Sequence, residues 1–133
     1  MTVFVDTSAL VAILDATDAE HERARATFSR LVDDRIDLMT HDYVVVETTA
    51  VVQRRLGLPA VRALVDRLLP AIDVRFIGPD GHVAAREALL AADRRSVSLV
   101  DWASFLVMRD AGLDTAFTFD GDFAAQGFRT IPS

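Results

Sequence analysis

The sequence predicts an α/β fold: a single-domain, three-layer sandwich with a central, mainly parallel sheet. Two observations carry this prediction. Short apolar, β-rich segments alternate along the chain with segments whose apolar residues recur at helical spacing, a pattern typical of parallel α/β sheets. The chain has 133 residues, 51% of them hydrophobic and 26% charged, which suits one globular domain over residues 1–133.

The first half of the chain contains two predicted strands and four predicted helices. The strands cover 3–5 and 37–39, and the helices cover 7–15, 17–32, 42–56 and 59–69. Thr17 and Glu20 have the spacing of a capping box, which places the start of the second helix at residue 17. Valines 44–46 alone would favour a strand, but the longer segment is helical in character, and Gly57 ends it.

The second half continues the alternation. A strand is predicted over 74–77, followed by a turn at 78–81 and a helix over 82–92. The next helix is capped by Ser96 or Ser98 and ends at Asp110, before Gly112. The remaining elements are a strand at 116–119, a helical turn at 121–126 and a short last strand at 128–131.

The charge balance argues against one class of function. Twenty acids stand against 14 bases, all of them arginine, for a formal net charge of −6. A non-specific nucleic-acid binder is normally basic, so this class is disfavoured, whereas an acidic enzyme acting on nucleic acid stays open if a metal offsets its acids. No cysteine is present, and no apolar run reaches the ~18 residues of a membrane span. We therefore expect a cytoplasmic protein without membrane association.

Acidic residues occupy the positions where such sheets bind ligands. Asp6 ends the first strand, and Asp120 ends the strand at 116–119, with Asp122 two residues later. Glu47 and Asp101 lie within strongly apolar helical segments, where an ionised carboxylate needs compensation. Because ligands bind beyond the carboxyl ends of parallel strands, we expect these acids to converge. Clustered carboxylates need a counter-cation, and oxygen ligands select hard ions such as Mg²⁺ or Mn²⁺.

Elimination narrows the remaining chemistry. The histidines (His21, His41 and His82) share no metal-ligand spacing and are expected on the surface. There is no glycine-rich phosphate loop and no G-x-S-x-G motif. Thr7, Ser8 and Ser98 stand beside the acids, where they either orient the carboxylates and their waters or simply cap helices. Phosphoryl hydrolysis by metal-activated water is the chemistry that fits this set.

Four motifs together carry a resemblance. They are the opening V-F-V-D-T-S-A-L, the acid Glu47 after H-D-Y-V-V-V, the segment S-L-V-D-W-A-S-F and the terminal T-F-D-G-D-F. In order and spacing they resemble the PIN-domain proteins, most closely the small VapC-type toxins of bacterial toxin–antitoxin modules. The resemblance spans nearly the whole chain.

The resemblance implies a PIN-like fold and Mg²⁺-dependent endoribonuclease activity, with Mn²⁺ as a possible substitute. Matched motif by motif, the catalytic quartet falls on Asp6, Glu47, Asp101 and Asp120. Asp122 matches an additional acid, so the expected metal ligands are Asp6, Asp101, Asp120 and Asp122. Ser98 and Thr118 match family positions that place a hydroxyl near the acids, and Thr7 and Ser8 are expected to serve the same acids. The match at Glu47 is the softest, because Asp42 lies near the start of the same helix.

The resemblance also implies partners: an RNA substrate, a second copy of the chain, and an antitoxin whose C-terminal segment covers the active-site groove. For the homodimer we expect an interface on the third and fourth helices, built from Val44, Val51, Val52, Leu56, Val61, Leu64 and Leu68. Five arginines remain equal candidates for contact with the RNA backbone: Arg54, Arg55, Arg94, Arg95 and Arg109. Two alternative functions stay open, another Mg²⁺-dependent phosphohydrolase of α/β fold and a non-catalytic PIN-like interaction domain.

Overall fold

Five parallel strands form the central sheet. In the computed structural model, which describes residues 1–133, the strands are β1 (Thr2–Val5), β2 (Asp37–His41), β3 (Asp73–Arg75), β4 (Thr115–Phe117) and β5 (Arg129–Ile131). Their order across the sheet is β3-β2-β1-β4-β5. All four pairings are parallel, and Phe4 in the central strand is in register with Met39 on one side and Ala116 on the other. The predicted α/β class is confirmed.

Seven α-helices connect the strands. They are α1 (Thr7–Leu14), α2 (His21–Asp33), α3 (Asp42–Leu56), α4 (Leu58–Ala63), α5 (Gly78–Ala92), α6 (Leu99–Asp110) and α7 (Asp122–Ala125). α4 continues into a π-helical turn (Leu64–Leu68) and a 3₁₀ turn (Leu69–Ala71). No helix has both the length and the apolar character needed to cross a membrane.

The strand order fixes where the helices lie. The chain runs outward from β1 to β2 to β3 and then crosses back to β4 on the other side of β1. Right-handed crossovers therefore place α1 to α4 on one face of the sheet and α5 to α7 on the other. The strand order reverses between β1 and β4, and this switch point is where an open α/β sheet leaves a crevice.

The core is one contiguous cluster of 19 buried apolar residues around the central strands. Val3, Phe4 and Val5 are fully buried, because β1 is covered by helices on both faces. The Phe105 and Phe123 rings pack edge to face with their centroids 5.0 Å apart, which fastens α6 and α7 together under β4. This packing holds the carboxyl ends of β1 and β4 against the start of α6.

Three local predictions were wrong. α2 begins at His21 rather than at residue 17, because the Thr17 hydroxyl and backbone N–H both donate to Asp15 instead of capping a helix. The predicted turn at 78–81 is the first turn of α5, which accommodates Pro79 there. His41 is not on the surface; β2 extends to include it, and its side chain is fully buried.

The apolar residues expected at a dimer interface are divided between core and surface. Val44, Val52, Leu64 and Leu68 are buried within the chain's own core, so they are not free to form an interface. The exposed large apolar side chains of α3, α4 and the π-helical turn are Val46, Leu56, Leu58 and Val65.

Candidate active site: an acidic cleft at the sheet's carboxyl edge

A cleft of about 400 Å³ opens at the switch point between β1 and β4. Residues from α1, α3, α6 and the segment after β4 line it: Asp6, Thr7, Ser8, Val11, Asp18, Glu47, Val51, Arg55, Ser98, Asp101, Phe119 and Asp120. The four acids of the expected quartet are all among them. The topology therefore brings together carboxylates that lie up to 114 positions apart in the sequence.

Asp6 is the buried acid of this cleft. It directly follows β1 and caps α1, and its Oδ2 accepts hydrogen bonds from Ser8 Oγ at 2.7 Å and Thr118 Oγ1 at 2.9 Å. Each hydroxyl also accepts a backbone N–H from the segment after β4, Phe119 N for Ser8 and Asp120 N for Thr118. Ser8 and Thr118 therefore join the end of β1 to the end of β4. Every protein hydrogen bond to this carboxylate reaches Oδ2, so Oδ1 has no protein donor.

Burial raises the pKa of Asp6 to about 6. The hydrogen bonds from Ser8 and Thr118 lower this pKa and offset part of the effect of burial. The charges of Asp101 and Asp120 raise the pKa further. No cation counters these effects within the protein. Asp6 is thus a carboxylate whose ionised form is unfavourable until positive charge enters the cleft.

Three further acids, two of them in the cleft lining, form a compact group. Asp101, Asp120 and Asp122 each place a carboxylate oxygen within 4.8 Å of the others. Asp101 is the third residue of α6 and completes a capping box, with its Oδ2 accepting Ser98 N at 2.9 Å and Ser98 Oγ accepting Asp101 N. Asp120 Oδ1 accepts the backbone N–H of Asp122 at 2.9 Å. Asp6 lies beside this trio rather than within it.

The pKa values of Asp101 and Asp122 are also raised. For both groups desolvation is the largest cause, and the charge of Asp120 adds to it. Glu47 contributes a further repulsion on Asp101, whereas Arg94 partly offsets the effect on Asp122. Like charges held this close disfavour one another's ionisation.

Glu47 rather than Asp42 faces the cleft. Asp42 lies at the start of α3, where its Oδ1 accepts the backbone N–H of Ile77 at 2.8 Å and so fixes the approach to α5. Glu47 lies one and a half turns further along α3 and makes no hydrogen bond or ion pair within the protein. Its carboxylate is therefore free for a ligand of the cleft.

A buried histidine joins the two helices that carry Glu47 and Asp101. His41 caps α3, with Nδ1 accepting the Val44 N–H at 3.3 Å, so Nε2 carries the proton and lies 2.8 Å from Ser104 Oγ in α6. Ser104 in turn donates to Val100 O. Burial lowers the pKa of His41 to about 4, which keeps it neutral as this network requires.

Sequence reasoning missed one charged residue of the cleft and left another unresolved. Asp18 was not singled out, and Arg55 was one of five equal candidates, yet Arg55 is the one arginine that lines the cleft. The four-residue spacing of Glu47, Val51 and Arg55 along α3 was the available signal. Thr7 lines the cleft with a buried hydroxyl that has no partner in the protein.

The donor set fits a hard divalent cation. The cleft offers carboxylate oxygens, and two of its acids, Asp101 and Asp120, lie together with Asp122 within reach of one ion. The raised pKa values of Asp6, Asp101 and Asp122 agree with this, because bound positive charge would lower each of them.

The fold and this site define a known class: the chain belongs to the PIN domain family, which matches residues 3–129. Among its relatives is the 23S rRNA-specific endonuclease VapC20 of Mycobacterium tuberculosis, 39% identical over 127 residues and covering 95% of each chain. The crystal structure of that protein, described as a sarcin–ricin loop-cleaving toxin, superposes with a TM-score of 0.81 over 95% of each chain.

More distant structures share the fold. FitAcB from Neisseria gonorrhoeae matches with a TM-score of 0.70 at 17% identity, over 98% of this chain and 96% of the other. VapBC2 from Rickettsia felis, bound to a DNA fragment from its promoter, gives a TM-score of 0.70 at 11% identity, over 98% and 97%. The architecture therefore persists where little of the sequence does.

Proposed function

We propose that this protein is a Mg²⁺-dependent endoribonuclease and the toxin of a type II toxin–antitoxin module. The observation that carries the proposal is the convergence of Asp6, Glu47, Asp101 and Asp120 on one cleft, with Asp122 beside Asp101 and Asp120. The relation to VapC20, an endonuclease of 23S rRNA, supports RNA as the substrate. We also propose a cytoplasmic location, because a ribosomal RNA substrate would be met there.

The proposed roles follow from the contacts of each acid. Asp101, Asp120 and Asp122 hold the cation, and the free Oδ1 of Asp6 faces the same cleft. A bound Mg²⁺ or Mn²⁺ supplies charge that polarises a phosphate and lowers the pKa of a water molecule. Glu47, unpaired in the protein, takes the proton of the attacking water on its carboxylate. Ser8 and Thr118 fix Asp6, and Ser98 fixes Asp101 through its backbone N–H.

A cleavage assay tests the proposal directly. Wild-type protein is incubated with RNA carrying the sarcin–ricin loop sequence, in Mg²⁺, in Mn²⁺ and in chelator. We expect specific cleavage with either metal and none in chelator. A protein that binds the RNA without cutting it would favour the non-catalytic alternative. One that hydrolyses only small phosphate esters would favour the other phosphohydrolase.

We further propose a homodimer and an antitoxin partner. The apolar side chains left exposed on α3 and the segment after it, Val46, Leu56, Leu58 and Val65, support an interface there. The antitoxin is expected to cover the acidic cleft with a basic segment, since the cleft holds five acids and one arginine. Light scattering at tens of micromolar tests the dimer; a monomer that persists at this concentration would contradict it.

A further inference from the structure

Arg55 is the one cation among the residues that line the acidic cleft. It lies in the last turn of α3, in a stripe with Val51 and Glu47 at four-residue spacing, so all three side chains point to the same face of the helix. Eight residues of helical rise separate Arg55 from Glu47 by about 12 Å. The Arg55 backbone therefore lies about two helical turns along α3 from that of Glu47.

Asp15 lies beside this arginine without forming a hydrogen bond to it. Asp15 is buried at the end of α1, and its Oδ1 accepts both the backbone N–H of Thr17 at 3.0 Å and the Thr17 hydroxyl at 2.7 Å. Its other oxygen, Oδ2, lies 3.9 Å from Arg55 Nη1. No hydrogen bond within the protein engages the guanidinium, whose side chain is 53% exposed. Its N–H donors are free for a ligand.

Two other arginines are already engaged, and Arg94, which lies near Asp122, does not line the cleft. Arg23 Nη1 binds Glu20 at 2.7 Å and its guanidinium lies over the Phe119 ring, while Arg109 binds the Gln126 side chain and covers Phe128. Arg55 combines a position in the cleft, a neighbouring carboxylate and free donors. A planar guanidinium with free donors is well suited to a phosphate diester.

We propose that Arg55 binds a backbone phosphate of the RNA flanking the one that is cleaved, and that Asp15 is the positioning residue that orients Arg55 for this contact. This inference rests on the proposed ribonuclease function. A purely structural alternative exists, in which Arg55 serves only the C-terminal dipole of α3 and its pair with Asp15. The phosphate contact predicts that loss of Arg55 weakens RNA binding, whereas the structural alternative predicts that it does not.

The experiment compares Arg55→Gln, Arg55→Lys and Asp15→Asn with a matched control, Arg54→Gln, which changes the neighbouring exposed arginine outside the cleft. Steady-state cleavage of a labelled sarcin–ricin loop RNA gives kcat and KM as a function of salt. We expect Arg55→Gln to raise KM about fivefold or more with kcat within about twofold, and to reduce the salt slope of log KM by about 0.7. Arg55→Lys should recover most of the affinity, and Asp15→Asn should raise KM by a smaller factor.

Binding is measured separately so that the outcomes stay distinct. Fluorescence anisotropy of the same RNA, with every variant also carrying Asp101→Asn to prevent cleavage, gives Kd without turnover. If Arg55→Gln matches Arg54→Gln in Kd, KM and salt slope, the phosphate contact is wrong even if Asp101→Asn alone abolishes cleavage. If the protein carrying Asp101→Asn alone still cleaves, the proposed ribonuclease site itself fails. A loss of thermal stability in Arg55→Gln with unchanged Kd would establish the structural alternative.

Discussion

Helix α1 has a buried aspartate at each end, and the two differ in nearly every electrostatic respect. Asp6 precedes the helix and Asp15 follows it, and both are at most 5% exposed. The pKa of Asp6 is raised to about 6 by burial, with further repulsion from Asp101 and Asp120. The pKa of Asp15 is lowered, chiefly by the hydrogen bonds from Thr17 and also by Arg55.

The difference teaches how to separate a functional acid from a structural one. The exposed fractions of the two side chains are nearly equal, so low exposure alone cannot be the criterion. Asp15 accepts two hydrogen bonds from Thr17 and lies beside the Arg55 cation, whereas Asp6 accepts hydroxyl donors from Ser8 and Thr118 and faces other acids. An acid that lies in a cleft and has no cationic partner within the protein is a candidate for binding a cationic ligand.

The largest expected effect is on catalysis. Asp6→Asn keeps the shape of the side chain and its cap on α1 but removes the charge, so kcat for RNA cleavage should fall by about 100-fold or more at saturating Mn²⁺. Asp15→Asn should leave kcat within about twofold, since Asp15 acts only through Arg55. Time courses of RNA cleavage at saturating RNA measure kcat for both variants. Asp110→Asn, an exposed acid at the end of α6, is the control. Equal kcat values in Asp6→Asn and Asp15→Asn would contradict the assignment of Asp6 as a functional acid and Asp15 as a structural one.

The second effect is on stability without metal. In chelator at pH 7.5, Asp6→Asn should unfold at a higher temperature than wild type, because it removes a buried charge that faces two others. The shift in pKa from 3.8 to about 6 sets an upper limit of about 3 kcal/mol. Asp15→Asn should unfold at a lower temperature, because it loses charge-assisted hydrogen bonds. Calorimetry that finds both variants shifted in the same direction would contradict the comparison.

The pH dependence of stability distinguishes Asp6 from Asp15 further. The raised pKa of Asp6 means that the folded state holds its proton while the unfolded chain has released it. The metal-free protein should therefore lose stability as pH rises from about 4 to about 6 and change little above that. Asp15 acts with the opposite sign, since its stabilisation is lost only as pH falls through its lowered pKa. Urea unfolding across this range gives the free energy of unfolding at each pH. This free energy should change less steeply with pH in Asp6→Asn than in wild type. An equal pH dependence in the two proteins would exclude Asp6 as its source.

A smaller effect is expected at His41, which joins α3 to α6. His41→Gln places an amide N–H near Ser104 but gives up the cap, whereas His41→Asn keeps the cap on α3 and gives up the bond to Ser104. If the bridge sets the position of Glu47 against Asp101, His41→Asn should raise the Mn²⁺ concentration for half-maximal cleavage about threefold to tenfold. His41→Gln should raise it less. Equal metal requirements in the two variants, with lower melting temperatures in both, would make His41 a packing residue alone.

The predictable part of this protein is the part governed by strand topology. Parallel strands end at one edge, so Asp6 and Asp120 could be placed together from two short apolar runs, each followed by an acid. Helical spacing placed Glu47 and Asp101 on helices but could not orient them, because orientation depends on how α3 and α6 pack across the sheet. His41 was misplaced since the apolar run of β2 ends before the strand does.

Predictions from local sequence motifs were wrong where other residues bound the same hydrogen-bonding groups. The capping box at Thr17 and Glu20 did not form because Asp15 accepts both the hydroxyl and the N–H of Thr17. The same buried acid lies beside Arg55, a residue that the sequence could not rank above its neighbours. Asp15 therefore accounts for the wrong helix boundary, and it lies beside the arginine that the sequence left unresolved.

Metal-induced stabilisation tests the central claim, that the cleft acids form one cation site, most directly. Melting temperatures of wild type, Asp101→Asn and the control Asp110→Asn are compared in chelator and across a Mn²⁺ series. At about 100 times Kd, wild type and Asp110→Asn should gain about 2.7 kcal/mol of stability. Asp101→Asn should melt higher than wild type in chelator, because one repelling charge is gone, and gain much less from Mn²⁺. If Asp101→Asn instead melts lower in chelator and responds to Mn²⁺ as wild type does, Asp101 is only the capping residue of α6 and the acids do not form a common site.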